Sequence, residues 1–185
     1  MIEKLDLSIN FLTTLSNFSN INFSCFIPVP INEIVISKLS LSKVLTPIKY
    51  GAVFTDKDVK PELRLKIIYE ELTILLDEYK PDIMSVEQLF FNRNVTTAIS
   101  VGQARGVILL TAANKNIPIV EYTPIQIKQA VVGYGGADKE QVTFMVQKLL
   151  NIRTKPKPDD VADALAVAIC GLHSSATRVR QELRK

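Results

Sequence analysis

The alternation of apolar and polar positions changes character along the chain. From Tyr50 onward, short apolar runs alternate with longer stretches in which apolar residues recur every three or four positions. Short runs bounded by turn residues indicate buried strands, and the longer periodic stretches indicate amphipathic helices. Strands that alternate with helices of this length predict an α/β fold, a mostly parallel sheet covered by helices.

Helix start signals place the predicted elements. The predicted strands cover 50–55, 83–87 and 117–122, and the predicted helices cover 61–79, 95–114, 124–132, 139–150 and 160–172. Thr123 before Pro124 is typical of an N-cap followed by proline at the first helical position. Asp138 is the corresponding cap of the helix that follows the glycine-rich loop 133–136.

Residues 1–48 lack this organisation. They contain no glycine, seven serines and five asparagines, and their one run with strand character is 33–37. A domain normally carries turn residues between its elements. We therefore expect a poorly specified N-terminal segment (1–48), a folded domain (49–174) and a basic C-terminal tail (175–185).

Composition narrows the class of protein. A chain of 185 residues with 47% hydrophobic and 22% charged residues is typical of a single soluble domain. No apolar stretch is long enough for a transmembrane helix, no signal-peptide pattern is present, and Cys25 and Cys170 lack metal-type spacing. These features predict a cytoplasmic location. The net charge of +3 permits a nucleic-acid partner without arguing for one.

Three carboxylates form the candidate chemical centre. Glu87 ends a predicted buried strand, and ligands in α/β folds gather at the carboxyl ends of strands. Asp160 and Asp163 are spaced i, i+3 on the last predicted helix and share one face. If that helix packs on the sheet, three oxygen ligands without His or Cys suit Mg²⁺ and metal-assisted phosphoryl transfer. Taken singly, each has a simpler explanation as a helix-dipole partner or a solvated strand-end residue.

Aromatic and basic residues nearby indicate a nucleic-acid surface. Phe90 lies in an Asn-rich loop, where an exposed ring can stack on an unpaired base; core packing is the alternative. Lys128 lies within a helix, and Lys139 starts the helix after the glycine-rich loop, a combination that suits phosphate binding. His173 is interpreted as a structural cap and Cys170 as a core residue.

Six stretches share an order and spacing that point to one family. They are Val86-Glu-Gln-Leu-Phe-Phe-Asn92, Gly102-Gln-Ala-Arg-Gly106, Glu121-Tyr-Thr-Pro124, Lys128-Gln-Ala-Val-Val-Gly133, Ala137-Asp-Lys-Glu-Gln-Val142 and Lys157-Pro-Asp-Asp-Val-Ala-Asp-Ala-Leu-Ala166. From about Tyr50 to His173 the chain resembles the RuvC family of bacterial Holliday-junction resolvases. Such a series is more specific than any single motif.

The resemblance implies an RNase H-like mixed sheet flanked by helices, a homodimer, and Mg²⁺-dependent nicking of two opposed strands at a four-way junction in DNA recombination and repair. It also implies partnership with the RuvA–RuvB branch-migration complex. The catalytic, metal-ligating carboxylates that it implies are Glu87, Asp160 and Asp163, with two Mg²⁺ ions in the complete family site. The DNA-binding residues that it implies are Phe90, Lys128 and Lys139.

One part of the family pattern is absent. The family opens with a strand carrying Asp-Pro-Gly, whose Asp is the first catalytic carboxylate, whereas residues 1–48 contain no Asp-x-Gly and only Asp6 among aspartates. The shift in composition suggests a changed reading frame or start site for this segment. We therefore expect N-terminal strands that are missing or altered, and impaired cleavage, since a loss of ~4 kcal/mol is about a thousandfold in rate.

Two further hypotheses come from other classes of protein. One is a junction-binding or dimerising module that does not cleave, and the other is an α/β domain unrelated to DNA. Cleavage that Glu87→Gln abolishes would identify the enzyme, and binding without cleavage would identify the module. The unrelated domain predicts no salt-sensitive affinity for a junction.

Overall fold

A five-stranded sheet separates two layers of helices. The computed structural model describes residues 22–28, 33–41, 45–88 and 95–182. The strands are β1 (Asn22–Pro28), β2 (Glu33–Leu41), β3 (Leu45–Phe54), β4 (Ile83–Glu87) and β5 (Ile119–Tyr122). The helices are α1 (Pro61–Tyr79), α2 (Val95–Asn114), α3 (Pro124–Val132), α4 (Lys139–Leu149) and α5 (Asp159–Glu182). No helix in these ranges is both long and apolar enough to cross a membrane.

The sheet is mixed, as the RNase H-like resemblance implied. Its strand order is β3-β2-β1-β4-β5. Strands β1, β2 and β3 pair antiparallel, whereas β4 is parallel to both β1 and β5. Parallel neighbours need a long connection, and here α2 supplies the connection from β4 to β5.

The N-terminal strands were expected to be missing or altered. They are not missing, because β1 lies at the centre of the sheet, with Phe23 to Phe26 paired parallel to Ile83 to Val86 of β4. The physical reason is that the segments 22–28 and 33–41 are rich in aromatic and β-branched residues, which suit a sheet even without clear turn signals between them. Their sequence is altered all the same, because β1 carries no Asp or Glu. Residues 1–21 lie outside the described ranges.

Strand β4 distributes its side chains between the two layers. Met84 and Val86 are fully buried and pack in a cluster with α1 and α2. Ile83 packs in the other cluster, which is built largely from α3, α4 and α5. Because successive side chains of a strand point to opposite faces, Glu87 shares the face of Ile83 and lies on the side of α5.

Helix α5 is the centre of its layer. Every residue from 161 to 172 is buried except Asp163, which is partly exposed. The helix contacts β1, β2, β3, β4 and β5 as well as α3 and α4. Four of its buried residues are alanines, and small side chains allow a helix to lie close to a sheet: Ala162, Ala164, Ala166 and Ala168. A partly exposed carboxylate in such a buried stretch requires a polar opening in the core.

Candidate active site

Glu87 lies at the carboxyl end of β4, where the parallel strands β4 and β5 end together. The next residue continues their pairing, because the Gln88 amide donates a hydrogen bond to the Tyr122 carbonyl at 2.8 Å. The backbone on both sides of Glu87 is thus held by the sheet. A carboxylate on a strand end of this kind has a fixed position for binding or catalysis.

One pocket brings together two carboxylates and two lysines that the sequence singled out. They are Glu87 from β4, Lys128 from α3, Lys139 from α4 and Asp163 from α5. The remaining lining residues form a mainly apolar wall: Pro124, Ile127, Val142, Ala166 and Val167. Four elements therefore meet at one site, with acids and bases facing each other in surroundings of low polarity.

Lys139 connects the two aspartates of α5. Its Nζ lies 3.0 Å from Asp163 Oδ2 and 3.6 Å from Asp160 Oδ1. The start of α4 fixes the backbone of Lys139, since Gln141 N donates to the side chain of the N-cap Asp138 at 2.8 Å. The side chain of Lys139 is 52% exposed, and ion pairs at that level of exposure are weak enough to exchange partners.

The two pocket carboxylates are harder to ionise than usual. Burial raises the pKa of Glu87, the charge of Asp163 raises it further, and Lys128 only partly opposes this. Burial also raises the pKa of Asp163, although the hydrogen bond and charge of Lys139 act to lower it. In both cases burial is the main cause, and neighbouring carboxylates add to the shift.

The ammonium of Lys139 stays charged in this environment. Burial acts to lower its pKa, but the hydrogen bond to Asp163 and the charges of Asp163, Asp160 and Asp159 outweigh it and raise the pKa. Lys139 is therefore a resident cation between the carboxylates. The family resemblance implied a DNA contact for this residue, and no sequence pattern predicted these ion pairs, because they depend on how α4 packs against α5.

Lys128 is placed by the well-defined start of α3. The N-cap predicted at Thr123 is present and is part of a capping box, with Gln126 N donating to Thr123 Oγ1 at 3.2 Å and Thr123 N donating to Gln126 Oε1 at 2.8 Å. Lys128 follows in the second turn and lines the pocket. Its charge lowers the pKa of Glu87, so it contributes to the same electrostatic balance.

The third predicted carboxylate lies outside the pocket wall. Asp160 is linked to the pocket by its contact with Lys139 and by its charge, which acts to raise the pKa of Asp163. Its neighbour Asp159 is turned to a different partner, Lys155 at 3.0 Å, whose hydrogen bond lowers the pKa of Asp159. The adjacent residues Asp159 and Asp160 therefore contact different lysines. Phe90, the predicted base-stacking residue, lies outside the described ranges.

The two pocket carboxylates suit a hard cation whose remaining ligands come from substrate and water. Within the part of the chain that the structure describes, no three His, Cys, Asp or Glu side chains form a group able to hold a metal ion. Two carboxylates in one pocket are nevertheless sufficient for Mg²⁺, which commonly binds one or two carboxylates together with substrate phosphates and water. The residues present thus fit a cation that completes its coordination with the substrate.

Cys170 and His173 were predicted to be structural, as a core residue and as a helix cap, and their surroundings fit these roles. Cys170 is buried in the core, and burial raises the pKa of its thiol to about 11, so it is not a reactive thiolate at neutral pH. His173 places Nδ1 3.2 Å from the carbonyl oxygen of Ala130, near the end of α3. Neither residue lines the pocket.

Comparison with known sequences gives a consistent result. A family model described as "Crossover junction endodeoxyribonuclease RuvC" matches residues 34–171. A protein of that name from Syntrophomonas wolfei is 60% identical over 127 residues, which cover 69% of this chain and 74% of the relative. Another from Desulforamulus reducens is 55% identical over 131 residues, covering 71% of this chain and 80% of the relative.

Solved structures extend the similarity. The Thermus thermophilus RuvC structure is similar with a TM-score of 0.78 at 28% identity, covering 84% of this chain and 96% of that one. A structure of the same protein in complex with a Holliday junction substrate gives 0.79 and covers 84% of this chain and 94% of that one. The yeast mitochondrial Holliday junction resolvase Ydc2, at 13% identity and a TM-score of 0.58, shares the fold alone.

Replacing Glu87 by Gln should stabilise the metal-free protein at neutral pH. Folding raises the pKa of this carboxyl above its ordinary 4.5, so the folded state binds its proton more tightly than the unfolded state. The resulting contribution to stability is fully present below pH 4.5 and is lost as pH rises through the raised pKa. Thermal unfolding in EDTA should therefore give Glu87→Gln a higher Tm than wild type at pH 8.

The Tm difference should shrink towards pH 4, where the wild-type carboxyl is protonated. Glu70→Gln is a suitable control, because Glu70 is exposed on α1 and pairs with Lys66 at 3.5 Å. Its Tm should stay close to that of wild type, since exposed pairs contribute little. An unchanged or lower Tm for Glu87→Gln at pH 8 would contradict the assigned electrostatics.

Proposed function

Because the chain belongs to the RuvC family of crossover junction endodeoxyribonucleases, we propose that it cuts phosphodiester bonds at four-way DNA junctions in recombination and repair. The observation that carries the proposal is the pocket that joins Glu87 and Asp163 with Lys128 and Lys139. Phosphodiester hydrolysis needs a site for an anionic phosphate and groups that hold a cation beside it. The pocket offers both within one set of side chains.

The lysines are assigned to the phosphate. Lys128 and Lys139 reach the pocket from two helices on the α5 side of the sheet, and ammonium groups bind DNA phosphates as mobile point charges. In the free protein Lys139 pairs with Asp163 and Asp160. An incoming phosphate competes for this ammonium and frees the aspartates, so substrate binding prepares the carboxylates for a cation.

The carboxylates are assigned to the cation. Glu87 and Asp163 would hold Mg²⁺, and Asp160 would join them once Lys139 turns to the phosphate. A bound Mg²⁺ would supply charge stabilisation for the phosphoryl oxygens and a more acidic water. The raised pKa values of Glu87 and Asp163 support this assignment, because both shifts arise partly from uncompensated negative charge.

A homodimer would match the symmetry of the substrate, in which two opposed strands are cut. Helix α2 presents a suitable face, on which Ile99 and Leu110 are 59% and 57% exposed. Gly102 and Gly106 lie on the same stripe, and a Cβ at either would meet no neighbouring atom within 4 Å. A second copy of α2 can approach closely there. Family membership also supports a cytoplasmic location and partnership with the RuvA–RuvB branch-migration complex.

A nicking assay tests the proposed activity. With Mg²⁺ and a synthetic four-way junction, the wild-type chain should nick two opposed strands and leave a linear duplex of the same sequence intact. Glu87→Gln should lower the rate by about a hundredfold or more, since a lost ligand costs ~3 kcal/mol of transition-state stabilisation. Its junction affinity should be retained because the lysines remain.

Binding of the junction by wild type without any nicking would identify a binding module and would contradict the proposal. Wild-type nicking that Glu87→Gln leaves unchanged would show instead that the pocket is not the catalytic site. Titration with EDTA provides the control for cation dependence.

Leu110→Glu should break the proposed dimer. A buried charge without a partner is costly at an interface, so the variant should sediment as a monomer at concentrations where wild type is a dimer. Phe144→Glu is the matched control, because Phe144 is 56% exposed on α4, on the other side of the sheet. Sedimentation velocity of the three proteins would contradict this interface if Leu110→Glu remained dimeric or wild type were a monomer.

A further inference from the structure

Two apolar side chains stand exposed beside the pocket. Tyr134 is 66% exposed and Ile125 is 64% exposed, the highest values among the large apolar residues that the structure describes. We call this pair the mouth patch. Exposed apolar groups that cluster in this way often mark a binding surface. Neither residue was assigned a role by the sequence motifs.

The glycine-rich loop supports the mouth patch. Gly133 ends α3 with φ +83°, a left-handed conformation that glycine adopts without strain. A Cβ at Gly135 would lie 2.8 Å from Ile125 Cγ2, and a Cβ at Gly136 would overlap the ring of Tyr134. Both exposed side chains therefore rest against loop backbone, and the absence of side chains at the two glycines makes room for them.

The mouth patch lies close in sequence to residues that line the pocket. Pro124, directly before Ile125, and Lys128, one turn after it, both line the pocket. Lys139 follows five residues after Tyr134, at the start of the next helix. The segments that carry the two lysines therefore also carry an exposed aromatic ring and an exposed aliphatic side chain. A ligand that spans both parts needs an anionic group joined to a flat apolar one.

An unpaired nucleotide has this chemistry. We propose that Tyr134 stacks on an unpaired base of the DNA junction, with Ile125 packing beside it, while the neighbouring backbone phosphate occupies the pocket at Lys128 and Lys139. The inference rests on the proposed function and extends it to how the crossover is recognised. Base–aromatic stacking contributes ~1–3 kcal/mol per base. The contact would be additional to Phe90.

Tryptophan fluorescence tests the contact directly. The chain contains no tryptophan, so Tyr134→Trp introduces a single indole at the mouth patch. Junction binding in EDTA, followed by anisotropy of a labelled DNA arm, should quench this fluorescence. Tyr69→Trp is the matched control: Tyr69 is 40% exposed on α1, in the helical layer on the other side of the sheet. Its fluorescence should not change at the same extent of binding.

Affinity measurements give the second readout. Tyr134→Ala should weaken junction binding by roughly 5- to 150-fold, which corresponds to the stacking of one base, and Tyr134→Phe should retain affinity. Binding of a linear duplex, which has no unpaired base, should be much less affected. Circular dichroism of each variant shows whether the fold is retained.

The outcomes separate this inference from the proposed function. If Tyr134→Trp binds the junction without quenching and Tyr134→Ala binds as tightly as wild type, the stacking contact is wrong while the proposed function stands. If wild type has no affinity for the junction, the proposed function fails and this inference fails with it. Equal losses for junction and duplex would also overturn it, because they indicate a general contact with DNA.

Discussion

The site depends on how α5 lies across the sheet. Its buried alanines allow a close approach, and Asp163 near its N-terminus lines the same pocket as Glu87 at the end of β4. Asp163 is the one residue between 161 and 172 that is not buried, and it faces the pocket that Glu87 enters from the strand. Everything else at the site is arranged around this pair: α3 adds Lys128 and α4 adds Lys139. A change in the packing of α5 would move one carboxylate away from the other.

Without a bound cation, the carboxylates of Glu87 and Asp163 destabilise the folded protein. Both carboxylates have raised pKa values because they are buried, and each also lies close to other negative charge. Lys139 compensates in part through its contacts with Asp163 and Asp160. Such conflicts between stability and function are typical of active sites, where charge is arranged for a ligand that the free protein lacks. Under the proposed function, a cation would balance this negative charge and would release Lys139 for the DNA phosphate.

Much of the fold was predictable between Tyr50 and Leu150, because local signals determine it there. Strand β4 and helices α2 and α3 have the predicted bounds, and both capping boxes are at the predicted caps. Strands β1 and β2 were largely missed, since no clear turn signals separate them and since β1 also pairs with β4, which is distant in sequence. Glu87 and Asp163 were predicted to meet from strand-end and helix-face arguments, and they do share a pocket. The position of Asp160 outside the wall and its link through Lys139 depend on tertiary packing, which no local pattern encodes.

Strand β1 at the centre of the sheet carries no carboxylate that could lie beside Glu87. Adding one there tests most directly whether Glu87 belongs to a cation site. Continuing the backbone register of Phe26 with Val86 by one residue pairs position 27 of β1 with position 87 of β4. The measurement is the Mg²⁺-dependent rate of junction nicking by Ile27→Asp, with the uncharged Ile27→Asn as its matched control. A carboxylate added to the site should raise the rate by about a hundredfold, or ~3 kcal/mol, and lower the Mg²⁺ concentration needed for half-maximal rate, whereas Ile27→Asn should do neither. The account would be contradicted if Ile27→Asp were no faster than Ile27→Asn, or if its gain persisted in combination with Glu87→Gln.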